Sequence, residues 1–338
     1  MKFGPVPLNR AEGKILGHNI AGPDGRRALR KGKPLTADDV VALREIGRAV
    51  VYVAELDPSD VEEDAAARRA AVAVAGSGLR LSGPASGRVN LLAKGLGILR
   101  VDGGRLARIN ECEGVTLATL SHQSAVRARQ IAATVKIIPY AVPEGAVREV
   151  EAIAAGGGPI IRLDILVSKT VSLVLSGSAS VRERIVRDFE PPLQARINAL
   201  GSTIQSVDFV ALEDEAGEAA LAETFQRQAQ AGAGLIVLAG ETAIMDRHDI
   251  APRAIERAGG EVTCFGAPVD PGNLLLVGYL GPVPILGAPG CARSRKVNVV
   301  DWVLPRLLAG DRLTRADIVS LGVGGLLEDV PERPMPRA

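Results

Sequence analysis

The second half of the chain alternates between apolar runs and longer amphipathic stretches. The apolar runs have the length of strands and read VSLVLSG, LIVLAG and VPILGAP. The stretches beside them suit helices, at about residues 180–200, 215–231 and 250–258. Strands that are apolar on both faces and separated by helices of this length are typical of a mostly parallel sheet. We therefore predict a three-layer α/β domain, with helices on both faces of the sheet.

The first half has shorter apolar segments. Thr36, with Asp39 three residues later, fits a capping box and predicts a helix that ends near residue 46. Ser59 and Glu62 fit the same pattern ahead of an alanine-rich helix. Beyond that helix, alternating segments such as GRVNLL, LGILRV and ATVKIIPYAV predict strands. We expect small α+β and β-rich accessory regions in this half.

Domain boundaries are expected where small residues and proline interrupt the pattern. The clearest linker reads AAGGGP, at residues 154–159. Glycine and alanine offer little side chain to pack, and proline cannot continue a helix. We expect an α+β accessory region, a β-rich accessory region, the α/β domain and a C-terminal extension at residues 1–65, 66–158, 159–310 and 311–338.

Composition excludes several classes of protein. The 338 residues carry 40 basic and 39 acidic side chains, so bulk attraction to nucleic acid or to a membrane surface is not expected. The segment MKFGPVPLNR lacks the apolar run of a signal peptide, and prolines interrupt the long uncharged stretch at residues 271–292. The three cysteines show no CxxC spacing, which predicts neither disulfides nor a zinc site. We expect a cytoplasmic protein without a membrane span.

Polar or glycine-rich loops follow the three apolar strands of the second half. In an open parallel sheet the ligand lies outside the carboxyl ends of the strands, so these loops hold the candidate site. After the first strand, Gly177 and Ser178 precede a helix, where free backbone N–H groups suit a phosphate. The alternative is that a serine here only caps the helix in a tight turn.

The second loop, GETAIMDRHD at residues 240–249, is the most highly charged of the three. Asp246 and Asp249, beside Glu241, offer hard oxygen ligands that suit Mg²⁺, which would bridge to a phosphate or an oxyanion. The two aspartates are also the candidate catalytic residues. An equally open alternative is that Asp249 only caps the next helix. The further ligand-binding residues expected in this loop are Gly240 and Thr242.

The third loop, GAPGCARS at residues 287–294, precedes a helix expected at about residues 293–308. Its PG turn exposes backbone N–H groups, and Arg293 adds a fixed positive charge suited to phosphate. Cys291 is expected to be a small loop residue, because no general base is identifiable nearby. With the upstream turn DPGN, the expected ligand-binding residues are Pro271, Gly272, Asn273, Pro289, Gly290, Cys291, Arg293 and Ser294.

The order of these loops resembles the molybdopterin-binding domain of molybdenum-cofactor biosynthesis proteins, including molybdopterin molybdotransferases and pterin-adenylylating enzymes. That family has a GG-x-S-x-G-x-x-D loop after an apolar strand, then a PG-x-P turn, then a LPGNP-x-S loop opening a helix. The corresponding stretches here read LIVLAGETAIMDRHD, VDPGNLLL and LGAPGCARS. The segment PLNRAEGKILGHNI also looks like part of the molybdotransferase accessory domains. The resemblance implies that the chain binds a pterin phosphate, either molybdopterin or its nucleotide adduct, with Mg²⁺ and molybdate as further components.

The chain departs from the family pattern at several positions. Glu241 replaces the second glycine, Thr242 stands at best for the motif serine, and Cys291 begins the pair that replaces asparagine-proline. Asp249 keeps the place of the terminal aspartate, which the resemblance puts at the metal and molybdate end of the site. The resemblance therefore supports ligand binding better than it supports catalysis. The chain also looks like a subgroup that in some bacteria is joined to a cytidylyltransferase domain, but it lacks the glycine-rich nucleotide loop of that domain.

Three functions compete on this basis. The first is a molybdotransferase-like step in cofactor maturation, in which molybdate is inserted or the cofactor is handed over. The second is a non-catalytic carrier or chaperone of the cofactor. The third is a nucleotide hydrolase that uses the same domain; a Rossmann dehydrogenase is disfavoured because no GxGxxG follows a strand. The expected partners are a second copy of the chain in a homodimer and a molybdenum enzyme or a cytidylyltransferase.

Overall fold

A computed structural model describes residues 1–212, 215–241 and 244–327. The chain divides into two compact units, the first made of residues 1–122 and 126–164, the second of residues 123–125 and from 165 onward. The expected boundaries at residues 65, 158 and 310 stay predictions. In the described part of the chain, no helix has both the length and the apolar character needed to cross a membrane.

Short antiparallel strands and four helices build the described part of the chain up to residue 165. The strands are β1 (Lys2–Pro7), β2 (Ile15–Leu16), β3 (Ile20–Ala21), β4 (Arg27–Leu29), β5 (Val50–Glu55), β6 (Asp60–Glu62), β7 (Leu79–Leu81), β8 (Arg88–Ala93), β9 (Gly97–Val101), β10 (Val115–Thr119), β11 (Ala125–Val126), β12 (Ile131–Ile137), β13 (Ala141–Pro143) and β14 (Ile161–Ile165). The helices are α1 (Ala37–Glu45), α2 (Glu63–Val74), α3 (Gly103–Glu111) and α4 (Glu144–Ala155).

Two apolar cores stabilise the first unit. The smaller core lies within residues 8–53 and includes Leu16 and Leu43, which are fully buried. The larger core packs the alanine-rich face of α2 against α4 and the sheet of β8, β10 and β12. Alanine lets a helix approach a sheet closely, which is why this α2 sequence suits its place.

One predicted helix start is confirmed and the other is wrong. At α1 the Thr36 hydroxyl accepts the Asp39 N–H, and the Asp39 carboxylate accepts the Thr36 N–H, as the capping box requires. At α2 no side-chain cap forms, because β6 pairs with β13 and holds residues 60–62 extended. The Glu63 N–H donates instead to the Tyr140 carbonyl oxygen, at 2.9 Å.

The second unit contains one six-stranded sheet, in the order β16-β15-β17-β20-β19-β18. The strands β16, β15, β17 and β20 pair with one another in parallel, whereas β19 pairs antiparallel with both β20 and β18. The predicted mostly parallel α/β sheet is therefore confirmed. The strands are β15 (Thr170–Gly177), β16 (Thr203–Ala211), β17 (Leu235–Gly240), β18 (Glu261–Phe265), β19 (Leu276–Leu280) and β20 (Val283–Gly287). The helices are α5 (Arg182–Ala199), α6 (Glu215–Gln230), α7 (Ile250–Arg257), α8 (Val300–Ala309) and α9 (Arg315–Val319).

Apolar side chains leave this sheet on both sides, because successive residues of a strand point to opposite faces. On one face Leu173 and Val237 pack into a core that α5 and α8 complete. On the other face Val174 and Ile236 pack against α6 and α7. This two-sided burial explains why the strands read as continuous apolar runs.

The last long helix begins later than predicted. The helix α8 starts at Val300, and the segment Gly290–Arg293 forms only a single 3-10 turn. Asn298 fixes the start, since its Oδ1 accepts the Val300 N–H at 3.0 Å and its amide donates to the Lys296 carbonyl oxygen at 3.1 Å. Pro305 lies inside α8.

A buried arginine ties α8 to α9. The Arg306 guanidinium pairs with Asp311 at 3.1 Å and with Asp317 at 2.8 Å, and only 6% of its side chain is exposed. Burial acts to raise the pKa of Asp317, but hydrogen bonds from Thr314 and Arg306 outweigh it and lower that pKa to about 2. The carboxylate is therefore charged whenever the protein is folded near neutral pH.

Candidate functional site

The first two predicted loops meet at the carboxyl ends of β15 and β17. Ser176 and Gly240 are register partners at the ends of these parallel strands, and the Glu241 N–H donates to the Ser176 carbonyl oxygen at 3.1 Å. A Cβ atom at Gly240 would overlap that same oxygen. Only glycine permits this approach, so Gly240 is needed to bring the loops together.

The third loop leaves the neighbouring strand at the same edge. β20 pairs with β17, and the Ala288 N–H donates to the Leu238 carbonyl oxygen at 2.8 Å. Ser176, Gly240, Asp249 and Ala288 line one small pocket at this edge. The expected convergence of the three loops is therefore found, as the rule for parallel sheets requires.

A larger cleft is lined by the third loop. It has a volume of about 360 Å³, within the range of small-ligand sites. The predicted residues that line it are Pro271, Gly290, Cys291, Arg293 and Ser294, and sequence reasoning missed Lys296 and Asn298, which line it too. No atom lies within 4 Å of the place where a Cβ atom of Gly290 would stand, so a ligand can approach this backbone.

Two predicted residues of the upstream turn do not line this cleft. Gly272 packs under the loop, where a Cβ atom would overlap the Val299 side chain. The Asn273 amide donates to the Ala267 carbonyl oxygen at 3.4 Å, which closes the loop on itself. Gly272 and Asn273 therefore shape the turn, and Pro271 alone of the three lines the cleft.

The segment from Ala292 to Lys296 is held by Arg196 of α5, which sequence reasoning missed. Its guanidinium donates to three carbonyl oxygens of this segment, at 3.0 Å for Ala292, 2.8 Å for Ser294 and 3.0 Å for Lys296. It also pairs with Asp301 at 2.9 Å. Only 10% of the Arg196 side chain is exposed. Backbone carbonyls as partners leave no signal in a sequence, which is why no motif pointed to this residue.

The cleft carries an unneutralised cation. Arg293 is exposed, and its guanidinium has no ion-pair or hydrogen-bond partner in the described part of the chain. Burial raises the pKa of the Cys291 thiol, so this cysteine stays protonated near neutral pH and is a poor nucleophile. The arrangement suits the binding of an anion by Arg293 and by backbone N–H groups.

The carboxylates of the acidic loop have partners within the protein, and the metal site expected at Glu241, Asp246 and Asp249 stays a prediction. Asp249 is the N-cap of α7, and its carboxylate accepts the Ile250 N–H at 2.8 Å and the Met245 N–H at 3.1 Å. Asp246 accepts the His248 N–H at 2.8 Å. Glu241 pairs with Arg184, so its charge is already offset without a metal ion. No group of three potential ligand side chains stands within reach of one metal ion among the residues that the structure describes.

The remaining predicted residues lie around this edge of the sheet. Gly177 ends β15, and a Cβ atom there would come within 3.3 Å of the Glu241 Cβ. The Ser178 hydroxyl lies 2.9 Å from that of Ser180, just before α5. Pro289 precedes the 3-10 turn of the third loop. Thr242 lies outside the described residues.

Comparison with known proteins gives a sparse result. The family model of a domain of unknown function, DUF8806, matches residues 5–55. No curated protein matches the chain. A molybdenum cofactor biosynthesis protein from Pyrococcus furiosus is a structural neighbour at 12% identity and a TM-score of 0.26; the match covers 91% of this chain and 64% of that one.

A second structural neighbour is the molybdopterin biosynthesis protein MoeA from Pyrococcus horikosii. It is 14% identical, with a TM-score of 0.30, and the match covers 91% of this chain and 75% of that one. The chain spans about two thirds of the length of the Pyrococcus furiosus protein, 64%. These TM-scores are too low to establish a common fold for the whole chain.

Proposed function

We propose that the second unit is a three-layer molybdopterin-binding domain that holds a pterin phosphate in the cytoplasm during molybdenum-cofactor maturation. The observation that carries the proposal is the convergence of the predicted loops at the carboxyl ends of β15, β17 and β20. Motifs that resemble those of the molybdopterin-binding domain family thus meet at one edge of the sheet. The cleft lined by the third loop offers open backbone at Gly290 and the Arg293 guanidinium, which has no ion pair among the described residues.

The residues fit the phosphate of such a ligand. Arg293 presents the planar donor group that matches phosphate geometry, and Arg196 holds the carbonyls of the adjacent segment turned inward. When bound, molybdopterin supplies the dithiolene sulfurs that take up molybdenum; this chain supplies binding and orientation.

Titration calorimetry with molybdopterin tests the proposal. Arg293→Gln is expected to weaken binding roughly tenfold, because a charge-assisted hydrogen bond is lost. The matched control is Arg295→Gln, since Arg295 is also an exposed arginine without an ion pair in the described region but does not line the cleft. Equal affinities for the two variants, or no binding by the wild type, would contradict the proposal.

A second candidate function is that of a non-catalytic carrier. The capping role of Asp249 favours it, because both carboxylate oxygens accept backbone N–H groups. Incubation with adenylylated molybdopterin, Mg²⁺ and molybdate separates the two candidates. Release of AMP with turnover establishes the transferase-like enzyme, whereas tight pterin binding without AMP release establishes the carrier.

Asp249→Asn sharpens the same distinction. Asparagine can keep the cap bond from the Ile250 N–H, but its NH2 group cannot accept the Met245 N–H, so stability is expected to fall by about 1 kcal/mol. If Asp249 serves only as a cap, pterin affinity with and without Mg²⁺ stays the same in this variant and in the wild type. A loss of Mg²⁺-dependent binding in the variant alone would return Asp249 to a metal-holding role.

A further inference from the structure

The first unit contains a second cleft, larger than the one in the second unit. Its volume is about 930 Å³, at the upper end of the range for small-molecule sites. The segment Arg30 to Lys33, just after β4, forms one wall, and Tyr140 and its neighbours, just after β12, form another. Every lining residue belongs to the first unit, so a ligand bound in this cleft is independent of the function proposed for the second unit.

The basic wall of this cleft is only partly neutralised. Lys33 pairs with Asp39 at 2.6 Å, and Lys136 lies 3.4 Å from Glu63. Arg30 and Lys31 are exposed, and neither side chain has an ion-pair partner in the described portion of the chain. Glu63 and Asp64 also line the cleft, but Glu63 faces Lys136 and the Asp64 carboxylate accepts the Gly87 N–H at 2.6 Å. The adjacent cations Arg30 and Lys31 therefore favour a ligand with more than one negative charge.

The wall that carries these cations is held in place. The Tyr140 hydroxyl donates to the Gly17 carbonyl oxygen at 2.9 Å, and its ring lies 3.4 Å from where a Cβ atom of Gly32 would stand. Gly32 has φ of +80°, a conformation that glycine adopts without strain. The Lys31 N–H donates to the Asn19 side-chain oxygen at 2.9 Å. Contacts on both sides thus fix this loop. Arg30 and Lys31 therefore stay exposed at the cleft.

Aromatic rings also line the cleft. Phe3 and His18 both face it, with ring centroids 5.7 Å apart in an edge-on arrangement. Phe3 is 48% exposed although it is a large apolar side chain. A planar heterocycle would cover these rings and make favourable ring contacts.

We propose that this cleft binds a nucleoside diphosphate, with Arg30 and Lys31 on the phosphates and Phe3 and His18 beside the base. The free cations account for the phosphates, and the exposed rings account for the base. Only a molecule that carries both phosphates and a base can contact the two cations and the two rings at once. The proposal assigns binding alone and includes no chemical step.

Titration calorimetry of the full chain with ADP tests this site. Arg30→Gln combined with Lys31→Gln is expected to weaken ADP binding roughly tenfold or more, because two charge-assisted contacts are lost. The control pair is Arg26→Gln with Arg27→Gln, on the same hairpin but outside the cleft, and it is expected to change affinity by less than about twofold. Both pairs are exposed, so neither variant should unfold the chain.

Further arms of the experiment separate the two parts of the ligand. Adenosine lacks the phosphates and pyrophosphate lacks the base, and each is expected to bind more weakly than ADP. Phe3→Ala is expected to weaken ADP binding but to leave pyrophosphate binding unchanged. No ADP binding, or the same loss of affinity in both double variants, would overturn the proposal. A loss of ADP binding in Arg293→Gln, with no loss in the Arg30 and Lys31 double variant, would assign the ADP to the second unit. That result would also overturn the proposal.

Discussion

At the scale of single residues, the most consequential side chain is that of Arg196, whose hydrogen-bond partners are mostly backbone carbonyl oxygens. Arg196 collects the carbonyl oxygens of the loop that lines the cleft, and it also bonds to Pro192 in its own helix and to Asp301 in α8. Its removal takes a donor from several carbonyl oxygens and leaves the Asp301 carboxylate without its ion pair. Arg196 therefore positions the cleft segment without lining the cleft.

Arg196→Met is expected to lower the free energy of unfolding by about 2–4 kcal/mol, because it leaves Asp301 unpaired in a partly buried place. Urea unfolding followed by circular dichroism measures this. Arg187→Met is the control, since Arg187 is 72% exposed and, among the residues that the structure describes, pairs only with the adjacent Asp188. The control is expected to change stability by less than about 0.5 kcal/mol. A similar loss in both variants would show that Arg196 does not hold the loop.

The pair between Arg306 and Asp317 predicts a pH dependence. The pKa of Asp317 is lowered from its usual 3.8 to about 2 in the folded protein. Its contribution to stability is therefore present above about pH 4 and is lost as the pH falls toward 2. Asp317→Asn is expected to cost on the order of 2 kcal/mol at pH 7 and much less near pH 2.

Urea unfolding of wild type and variant between pH 2 and pH 7 checks this prediction. Glu256→Gln is the matched control, because Glu256 pairs with an exposed arginine, Arg247. That control is expected to show little effect at any pH. A constant difference between wild type and Asp317→Asn across the range would contradict the predicted role of the Asp317 charge.

At the scale of helices and strands, two capping signals of the same kind had opposite outcomes. Thr36 and Asp39 form the predicted capping box, whereas Ser59 and Glu62 do not, because the strand β6 claims residues 60–62. Local chemistry decides a helix start only where no tertiary contact competes. The Tyr140 carbonyl oxygen, which accepts the first N–H of α2, is far away in the sequence and could not be predicted from it.

Thr36→Ala is expected to lower the free energy of unfolding by about 1 kcal/mol, because the first turn of α1 loses its cap. Ser59→Ala is the control and is expected to change it by only a few tenths of a kcal/mol, since Ser59 makes no cap bond in the described structure. Thermal and urea unfolding of both variants measure the difference. Equal losses would mean that the capping box at α1 contributes nothing of its own.

The sequence predicted the sheet better than it predicted the site. Apolar runs locate β15, β17 and β20, and the rule for parallel strands then brings their loops to one edge. The start of α8 at Val300 was missed, because Asn298 and Arg196 hold the preceding residues out of a helix. The sequence left two roles open for Asp249, a helix cap and a metal ligand, because both roles require the same residue type at the same place.

At the scale of the whole molecule, the chain is expected to form a homodimer. Proteins of the family that it resembles use their accessory domains in contacts with a second subunit, and most soluble oligomers are symmetric dimers. Light scattering coupled to gel filtration should give twice the mass of one chain at micromolar concentration. A monomer over the whole accessible concentration range would contradict the expected dimer.

The strand order of the second unit also bears on how the protein is made. β17 lies between β15 and β20 in the sheet, yet β20 begins roughly 40 residues after β17 ends. At ribosomal rates of about 5–20 residues per second, this gap lasts on the order of 2–9 seconds. During that time one edge of the apolar strand β17 has no neighbour while the chain is still growing. The yield of folded protein is thus set by what happens to the nascent chain in those seconds, and not only by the stability of the finished sheet.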